Sequence, residues 1–342
     1  MKAVVFHEHG GPDRLVYEDR PDPSPVPGHA VLRVKASALN HIDIWVRQGI
    51  PAYQIRLPHI SGTDASGIVE AVAPDVAGLT VGQRVFVAPG LSCGHCKECR
   101  AGRDNLCSTF KVFGAACDGG YAERALVPAR NLIPLPDDLS FEVGAAFPLV
   151  YLTAWRLVVT LGQAQPGETV LVHAAGSGVG SAAIQIARLA GSRVITTVGS
   201  ETKRDRALAM GVDEAILYRT ENVAERVLAL TDGRGADVVV EHIGPDTWPS
   251  SLAALAKGGR LVTCGATTGP QVPLDLRLLF SRQLTIRGTY LGNRSELDAV
   301  TRLVAAGRLS PIIDSVYPLA EARKAQEVML SRNFFGKLVL RV

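Results

Sequence analysis

The residues most able to do chemistry in this chain are four cysteines crowded into one short segment. Cys93-Gly94-His95-Cys96-Lys97-Glu98-Cys99 is followed by Cys107, which gives Cys-x2-Cys-x2-Cys-x7-Cys. Two-residue gaps let neighbouring thiolates turn toward one point, and a fourth thiolate closes a tetrahedron around a zinc ion at about 2.3 Å per bond. Four protein ligands leave no open position, so such a zinc is structural and cannot bind substrate. Cys93, Cys96, Cys99 and Cys107 are therefore expected to hold one structural zinc per chain. Lys97, Arg100 and Arg103 lie nearby to offset the cluster's charge. His95 is expected to face solvent, and Cys117 and Cys264 to be small packing residues. The competing reading, free or redox-active cysteines in a loop, is the weaker one for a clustered set of this spacing.

A second segment points to a nucleotide. Thr169 to Ala175 reads as a buried strand, then comes Gly176-Ser177-Gly178-Val179-Gly180, then a helix from about Val179 to Ala190. A tight glycine turn between strand and helix brings backbone N–H groups and a helix N-terminus against a pyrophosphate. The frame departs from strict G-x-G-x-x-G, because Ala175 and Ser177 take its first two glycine places. An NAD site places Asp or Glu at the end of the next strand, about 20 residues on, to bond the ribose hydroxyls. Here that strand ends Thr197-Val198-Gly199-Ser200, with Lys203 and Arg204 following and Glu201 beyond the expected place. Cations and hydroxyls suit a 2′-phosphate, so NADP(H) is the expected cofactor, with NAD(H) as the alternative. Lys203 and Arg204 as a merely solvated helix face is the plain alternative reading.

These groups need elements to hold them. The first 140 residues read as short strands and turns, among them Met1–Phe6, Ala30–Val34, Ala65–Val72 and Arg84–Val87, which suggests a barrel-like β domain. From Ser140 a helical signal begins, interrupted by Pro148, and beyond it strands alternate with helices. Strands at 169–175, 193–198, 236–241 and 259–265, with helices at 203–210 and 248–256, imply βαβ units on a parallel sheet. Helices at 295–306 and 320–330 and a strand at 336–342 close the chain. At 342 residues the chain exceeds the size at which single cores stop growing, so two domains are expected. A net charge of +3 is too small to argue for nucleic acid or an acidic membrane surface. No apolar run reaches about 18 residues and the N-terminus shows no signal-peptide core, so a soluble cytoplasmic protein with a small-molecule substrate is expected, without nucleic-acid or membrane partners.

With these pieces assembled, the chain resembles the medium-chain dehydrogenase/reductase superfamily along its whole length, a group holding zinc alcohol dehydrogenases and zinc-free quinone oxidoreductases. The resemblance implies an α/β chain with a GroES-like β-barrel catalytic domain, residues 1–150 and 291–342, carrying the zinc lobe. It implies a Rossmann domain, a doubly wound parallel sheet, over 151–290. The glycine turn looks like the quinone-reductase version, and Ser200, Lys203 and Tyr218 match positions that hold the 2′-phosphate. Thr153 matches a position near the nicotinamide, His41 a basic residue facing the pyrophosphate, and Gly265 a further cofactor position. Phe335-Gly336-Lys337 is similar to the family's C-terminal return. The strand at 284–290 is the one that pairs across a two-fold axis in relatives, which implies a homodimer or homotetramer.

The catalytic-zinc ligands do not carry over. The ligand Cys becomes Asn40, the ligand His becomes Thr63 with Asp64 beside it, and the third ligand falls on Leu149, while the alcohol dehydrogenases' relay hydroxyl falls on Ile42. An amide, a hydroxyl and an apolar side chain do not make a zinc site. Zinc in those enzymes polarises the carbonyl oxygen, so hydride transfer here would suit acceptors that spread charge themselves: quinones, enones, enals or enoyl thioesters. Asn40, Thr63 and Tyr151 are the candidate catalytic residues. Asn40 would hold the nicotinamide ribose or substrate oxygen, Thr63 would line the pocket, and Tyr151 would be a proton donor or an aromatic wall. Asp43 reads as structural, and His59 as structural rather than a ligand. Loops 50–57 and 292–294 are expected to shape the pocket. The alternatives are an alcohol dehydrogenase and a non-enzymatic dinucleotide-binding protein.

Overall fold

The structure, a computed structural model, describes residues 1–51 and 53–342. Ala52, within the 50–57 loop, lies outside the described residues. The chain divides into two compact units, Met1–Leu149 with Asn293–Val342, and Val150–Gly292. No helix among the described residues is long and apolar enough to cross a membrane.

The first unit is built on a seven-stranded sheet. Along it the order is Leu132–Pro134, Arg84–Val87, Asp64–Val72, His29–Ala38, Lys337–Arg341 and Ile313–Pro318, and Arg124–Pro128 also pairs with the long strand His29–Ala38. That strand shows why the sheet forms. Ala30, Leu32 and Val34 bury one face on the core while Arg33 on the other is exposed, and toward its end, at Ala36–Ala38, the strand is covered on both faces. Val69, Val85, Val87, Phe113 and Val127 complete that core. Burying each such side chain contributes about 1.5–3 kcal/mol. A short hairpin, Gly90–Leu91 with Lys111–Val112, forms the base of the cysteine lobe. The connection after Asn40 becomes a helix, His41–Gln48, which stops at Gly49 in the left-handed region, φ 91°. That helix, absent from the strand-and-turn reading, is the element that carries Asp43.

The second unit is a six-stranded sheet. Its strands in chain order are β1 (Thr169–Val172), β2 (Arg193–Val198), β3 (Glu214–Leu217), β4 (Ala236–Glu241), β5 (Leu255–Thr263) and β6 (Thr285–Gly288). The spatial order is β3-β2-β1-β4-β5-β6 and every pairing is parallel. The near-continuous Val and Ile runs are what a sheet covered on both faces requires. The order reverses between β1 and β4, and nucleotides bind in open α/β sheets at the carboxyl ends of the strands flanking such a reversal.

Some boundaries differ from the sequence reading. Pro148 does more than interrupt a helix: Phe141–Ala146 ends, and Pro148 opens a second helix, Pro148–Trp155, a position where its missing N–H costs nothing. The helix at 248 stops at Ala254, and β5 begins at Leu255 instead of Gly259, because buried Leu255 and Ala256 already belong to the core. The strand Glu214–Leu217 and the helix Val223–Leu230 lie where no strong pattern was read.

Candidate active site and zinc lobe

The four cysteine Sγ atoms lie within 4.8 Å of one another, the only such group of potential metal ligands among the described residues. Cys93 Sγ and Cys99 Sγ are 3.8 Å apart, and a regular tetrahedron of ~2.3 Å Zn–S bonds has edges of about 3.8 Å. Backbone N–H groups already point at the sulfurs: Cys96 N donates to Cys93 Sγ at 3.3 Å, Cys99 N to Cys96 Sγ at 3.5 Å, and Cys93 N to Cys107 Sγ at 3.4 Å. Such donors stabilise thiolate charge, as ligands of a metal require. Arg130 locks the lobe from below, donating to the carbonyls of Cys93 and Ser92. His95 turns away to its own loop, its Nδ1 3.0 Å from the Cys93 carbonyl. The donor set fits a closed structural zinc.

Asn40 and Thr63 come together in a buried polar cluster of the first unit. Asn40 Nδ2 donates to Thr63 Oγ1 at 2.9 Å and to Asp64 Oδ2 at 2.8 Å. Its Oδ1 accepts from Lys337 Nζ at 2.6 Å, and the same ammonium donates to the Leu39 carbonyl at 2.7 Å and lies 3.4 Å from Asp64 Oδ2. Asp64 Oδ1 accepts from the backbone N–H of Leu149 at 3.1 Å. Asp43 takes the N–H of Asn40 at 2.9 Å, the N–H of Thr63 at 3.1 Å and the hydroxyl of Tyr121 at 3.0 Å. Both ends of the Asn40 amide are thus spent inside the protein, and Thr63 is fully enclosed.

Burial dominates the charges here. It pushes the Asp43 carboxyl up to about 6, against the donors from Asn40 and Tyr121. It raises Asp64, which Lys337 partly restores, and lowers Lys337, which Asp64 and Asp43 partly restore. Lys337 entered the sequence reading only as part of a C-terminal resemblance. Its place beside Asn40 depends on the closing strand Lys337–Arg341 pairing with His29–Ala38, nearly 300 residues away, which no local pattern reveals.

In the second unit the glycine turn joins β1 to the helix Gly178–Leu189. Ala174 sits at φ 53°, in the left-handed region. Ser177 Oγ accepts the Gly180 N–H at 2.9 Å, while the N–H groups of Gly178 and Val179 have no acceptor from the described residues, the orphan donors that make a helix N-terminus an anion site. Gly180 admits no side chain, since a Cβ would lie 2.2 Å from the Ala174 carbonyl oxygen. Beyond β2, Ser200 caps the helix Glu201–Ala209 by accepting from Lys203 N at 3.4 Å. Arg204 lies 3.8 Å from Glu201. Tyr218 is half-exposed, its hydroxyl 2.8 Å from where a Cβ of Gly199 would be. These groups share one end of β2 and β3 with no carboxylate on the strand end itself.

The remaining candidates are placed as follows. Tyr151 is buried, and its hydroxyl accepts from Gln185 Nε2 at 2.8 Å. Burial pushes its phenol well up, away from easy proton release. Thr153 is buried two residues on, on the same helix. His41 opens the helix that follows Asn40, its ring 6.1 Å from that of Trp45. Gly265 follows β5, and a Cβ there would meet the His242 carbonyl at 2.9 Å. Buried His59 bonds the Gly114 carbonyl through Nε2 at 3.0 Å.

The comparisons with known proteins agree with this architecture. Residues 26–137 match the alcohol dehydrogenase GroES-like domain and residues 178–306 the zinc-binding dehydrogenase family. The chain is 33% identical to a 2-haloacrylate reductase of Burkholderia sp, over 99% of this chain and 98% of that one. It is 34% identical to a quinone oxidoreductase of Pseudomonas aeruginosa, over 99% of each. The crystal structure of an NAD-dependent alcohol dehydrogenase superposes with a TM-score of 0.96 at 46% identity, covering 100% of both chains. The chain belongs to the medium-chain dehydrogenase/reductase superfamily. It is an oxidoreductase of that type.

Proposed function

We propose that this oxidoreductase uses NADPH to reduce conjugated carbonyl compounds or quinones, without a catalytic zinc. One observation carries the reading. The three places where a catalytic zinc would need ligands hold Asn40, Thr63 and Leu149, and the Asn40 amide is already saturated by Lys337, Thr63 and Asp64. No Lewis acid is then supplied to an acceptor oxygen, so acceptors that delocalise their own charge are favoured. The names of the two relatives, a 2-haloacrylate reductase and a quinone oxidoreductase, support this class.

When bound, NADPH supplies the hydride. The N–H groups of Gly178 and Val179 and the helix behind them would hold the pyrophosphate. Ser200, Lys203, Arg204 and Tyr218 would hold the 2′-phosphate, and the resemblance assigns Thr153 to the nicotinamide and His41 to the pyrophosphate. The zinc at Cys93, Cys96, Cys99 and Cys107 clamps its lobe and takes no part in the reaction. The protein works in the cytoplasm as a homodimer or homotetramer. Among the described residues β6 pairs only with β5, leaving an open edge, and Leu276 and Phe280, 65% and 69% exposed, lie on the short helix just before it. A monomer mass by light scattering would refute that assembly.

The test is a titration with NADPH and NADH, then turnover on a panel of quinones, enals and alcohols before and after chelator dialysis. Tighter NADPH binding and chelator-resistant quinone or enal reduction are expected. Alcohol oxidation abolished by chelation with the fold intact would favour a zinc alcohol dehydrogenase, the reading suggested by the 46%-identical NAD-dependent alcohol dehydrogenase. Dinucleotide binding without turnover would favour a non-enzymatic role.

A further inference from the structure

Beneath the glycine turn lies a buried polar chain that the proposed reaction does not use. Glu241, at the end of β4, is fully buried, and its ion-pair contact among the described residues is with His173, 3.7 Å away, not with a Lys or Arg. Its carboxylate is held entirely by donors: Ile243 N at 2.7 Å, Gly244 N at 3.0 Å, Thr247 Oγ1 at 2.9 Å and Ser251 Oγ at 2.6 Å. Ser251 Oγ also lies 2.8 Å from His173 Nε2, and His173 Nδ1 lies 3.3 Å from Thr197 Oγ1. Thr197 Oγ1 in turn accepts the N–H of Ala174 at 3.0 Å.

The directions of these bonds follow from one another. A carboxylate only accepts, so Ser251 gives its single proton to Glu241. Its oxygen must then accept from His173, which places the imidazole proton on Nε2. Nδ1 is left as an acceptor and takes the Thr197 hydroxyl proton. With its proton given to Nδ1, the Thr197 oxygen keeps both lone pairs as acceptors and is the more electron-rich for it, and one of them takes the N–H of Ala174, the residue at φ 53° that begins the glycine turn. His242 Nε2 adds a second tie, donating to the His173 carbonyl at 3.0 Å. The chain spans the ends of three neighbouring strands, β2, β1 and β4, on both sides of the point where the strand order reverses.

We propose that Glu241 is a positioning residue for the dinucleotide turn, acting through Ser251, His173 and Thr197 to fix the backbone at Ala174. The proposal rests on the dinucleotide reading of that turn. The charge state agrees with the bond directions. Burial holds His173 low, at about 4, so it is neutral at pH 7. Burial opposes ionisation of Glu241, but the nearby His173 ring, 3.7 Å away, and then the donors Ser251, Gly244 and Ile243 outweigh it and hold the carboxyl below its ordinary value. Polarised chains of this kind strengthen link by link when every member is satisfied, and an ordered turn lowers the entropic cost of binding a ligand.

Glu241→Gln tests the directionality with no change of shape. With its amide nitrogen toward Ser251, the chain must reverse and His173 must shift its proton to Nδ1. With that nitrogen toward Ile243 and Gly244, donor faces donor. Thr197→Val cuts the chain at its other end and is nearly isosteric, so it carries the test if Glu241→Gln fails to fold. The expected result in both is NADPH affinity weakened ten-fold or more by fluorescence titration. The KM for the dinucleotide should rise with it, while the KM for a quinone acceptor stays within two-fold. The ¹⁵N spectrum of histidine-labelled protein should show Nε2–H at His173 in the wild type and lose that form in Glu241→Gln. NADPH affinity within two-fold of wild type in both variants, or Nδ1–H at His173 in the wild type, would overturn the proposal. Wild-type protein that binds neither NADPH nor NADH would instead refute the dinucleotide reading of the turn, and the proposal with it.

Discussion

Replacing Lys337 with Met removes the only cation that the described residues place in the buried cluster at Asn40, while keeping a side chain of similar length. Asp64 then keeps its carboxylate with the amide of Asn40 and the N–H of Leu149 as donors but no opposite charge. The Leu39 carbonyl and Asn40 Oδ1 lose their ammonium donor as well. Breaking a buried pair from one side costs about 3–5 kcal/mol. The unit involved has roughly 200 residues, and at ~2.1 cal/mol/K per residue its unfolding entropy is about 0.4 kcal/mol/K, so its melting temperature should fall by about 7–12 °C. The effect has a definite pH dependence. Asp64 is already raised by burial, and losing Lys337 raises it further. A carboxyl raised above its unfolded value of ~3.9 stabilises the fold while protonated and loses that contribution as pH rises through its folded pKa. The deficit of Lys337→Met should therefore be largest at pH 8 and shrink toward pH 5. Calorimetric melts across that range measure it, and Asp64→Asn in the same background should recover part of the loss, because the orphaned charge is gone. A shift under 2 °C at pH 8, or one independent of pH, would refute the assignment of Lys337 as the counterion of this cluster.

Three further outcomes follow from the other sites. Gly180→Ala places a Cβ 2.2 Å from the Ala174 carbonyl, so thermal melts should show a loss of about 1–3 kcal/mol and NADPH titration at least a ten-fold loss of affinity; wild-type affinity would contradict the close approach. Ser200→Asp sets a carboxylate against the proposed 2′-phosphate, and at ~1–3 kcal/mol of repulsion the NADPH-to-NADH affinity ratio should fall about 10–100-fold; an unchanged ratio would remove Ser200 from that site. Purified protein should carry one zinc per chain by metal analysis, and Cys107→Ser less than half of one; full zinc in that variant would mean the metal sits elsewhere.

How much was legible in advance follows from the range of the interactions. The cysteine lobe and the glycine turn are local: each is made by residues within about fifteen positions, so spacing alone carried the chemistry and the structure places those side chains together. The parallel sheet was visible because its strands are apolar on both faces. Glu214–Leu217 escaped because it is only four residues long and begins with a charge. Lys337 beside Asn40 and Ser251 beside His173 are long-range meetings, set by which strands and helices neighbour one another. Their only sequence traces are a Lys at the start of a closing strand, a His at the end of a buried one, and a Glu closing β4. The role of Asn40 illustrates the same limit. Its type excludes a strong metal ligand, but only the structure shows that both ends of its amide are occupied.

That saturation bears on what the site can do for an acceptor. A cluster with Asp43, Asp64 and Lys337 in one buried volume has two carboxyls and one ammonium, and each is satisfied by neighbours within the unit. The ammonium spends its protons on Asn40, Leu39 and Asp64, so it organises the amide instead of polarising an acceptor. Stabilising an isolated alkoxide would require a strong donor or a metal aimed at the reacting oxygen, and neither Asn40, with its donors committed, nor enclosed Thr63 has that freedom in this arrangement. A quinone or enal asks for less, because addition of hydride leaves its charge delocalised over the conjugated system. On the proposed reading the residues at the ligand positions limit the reaction through the donors they withhold, and the limit should appear as a steep fall in turnover from conjugated to saturated carbonyl acceptors of matched size.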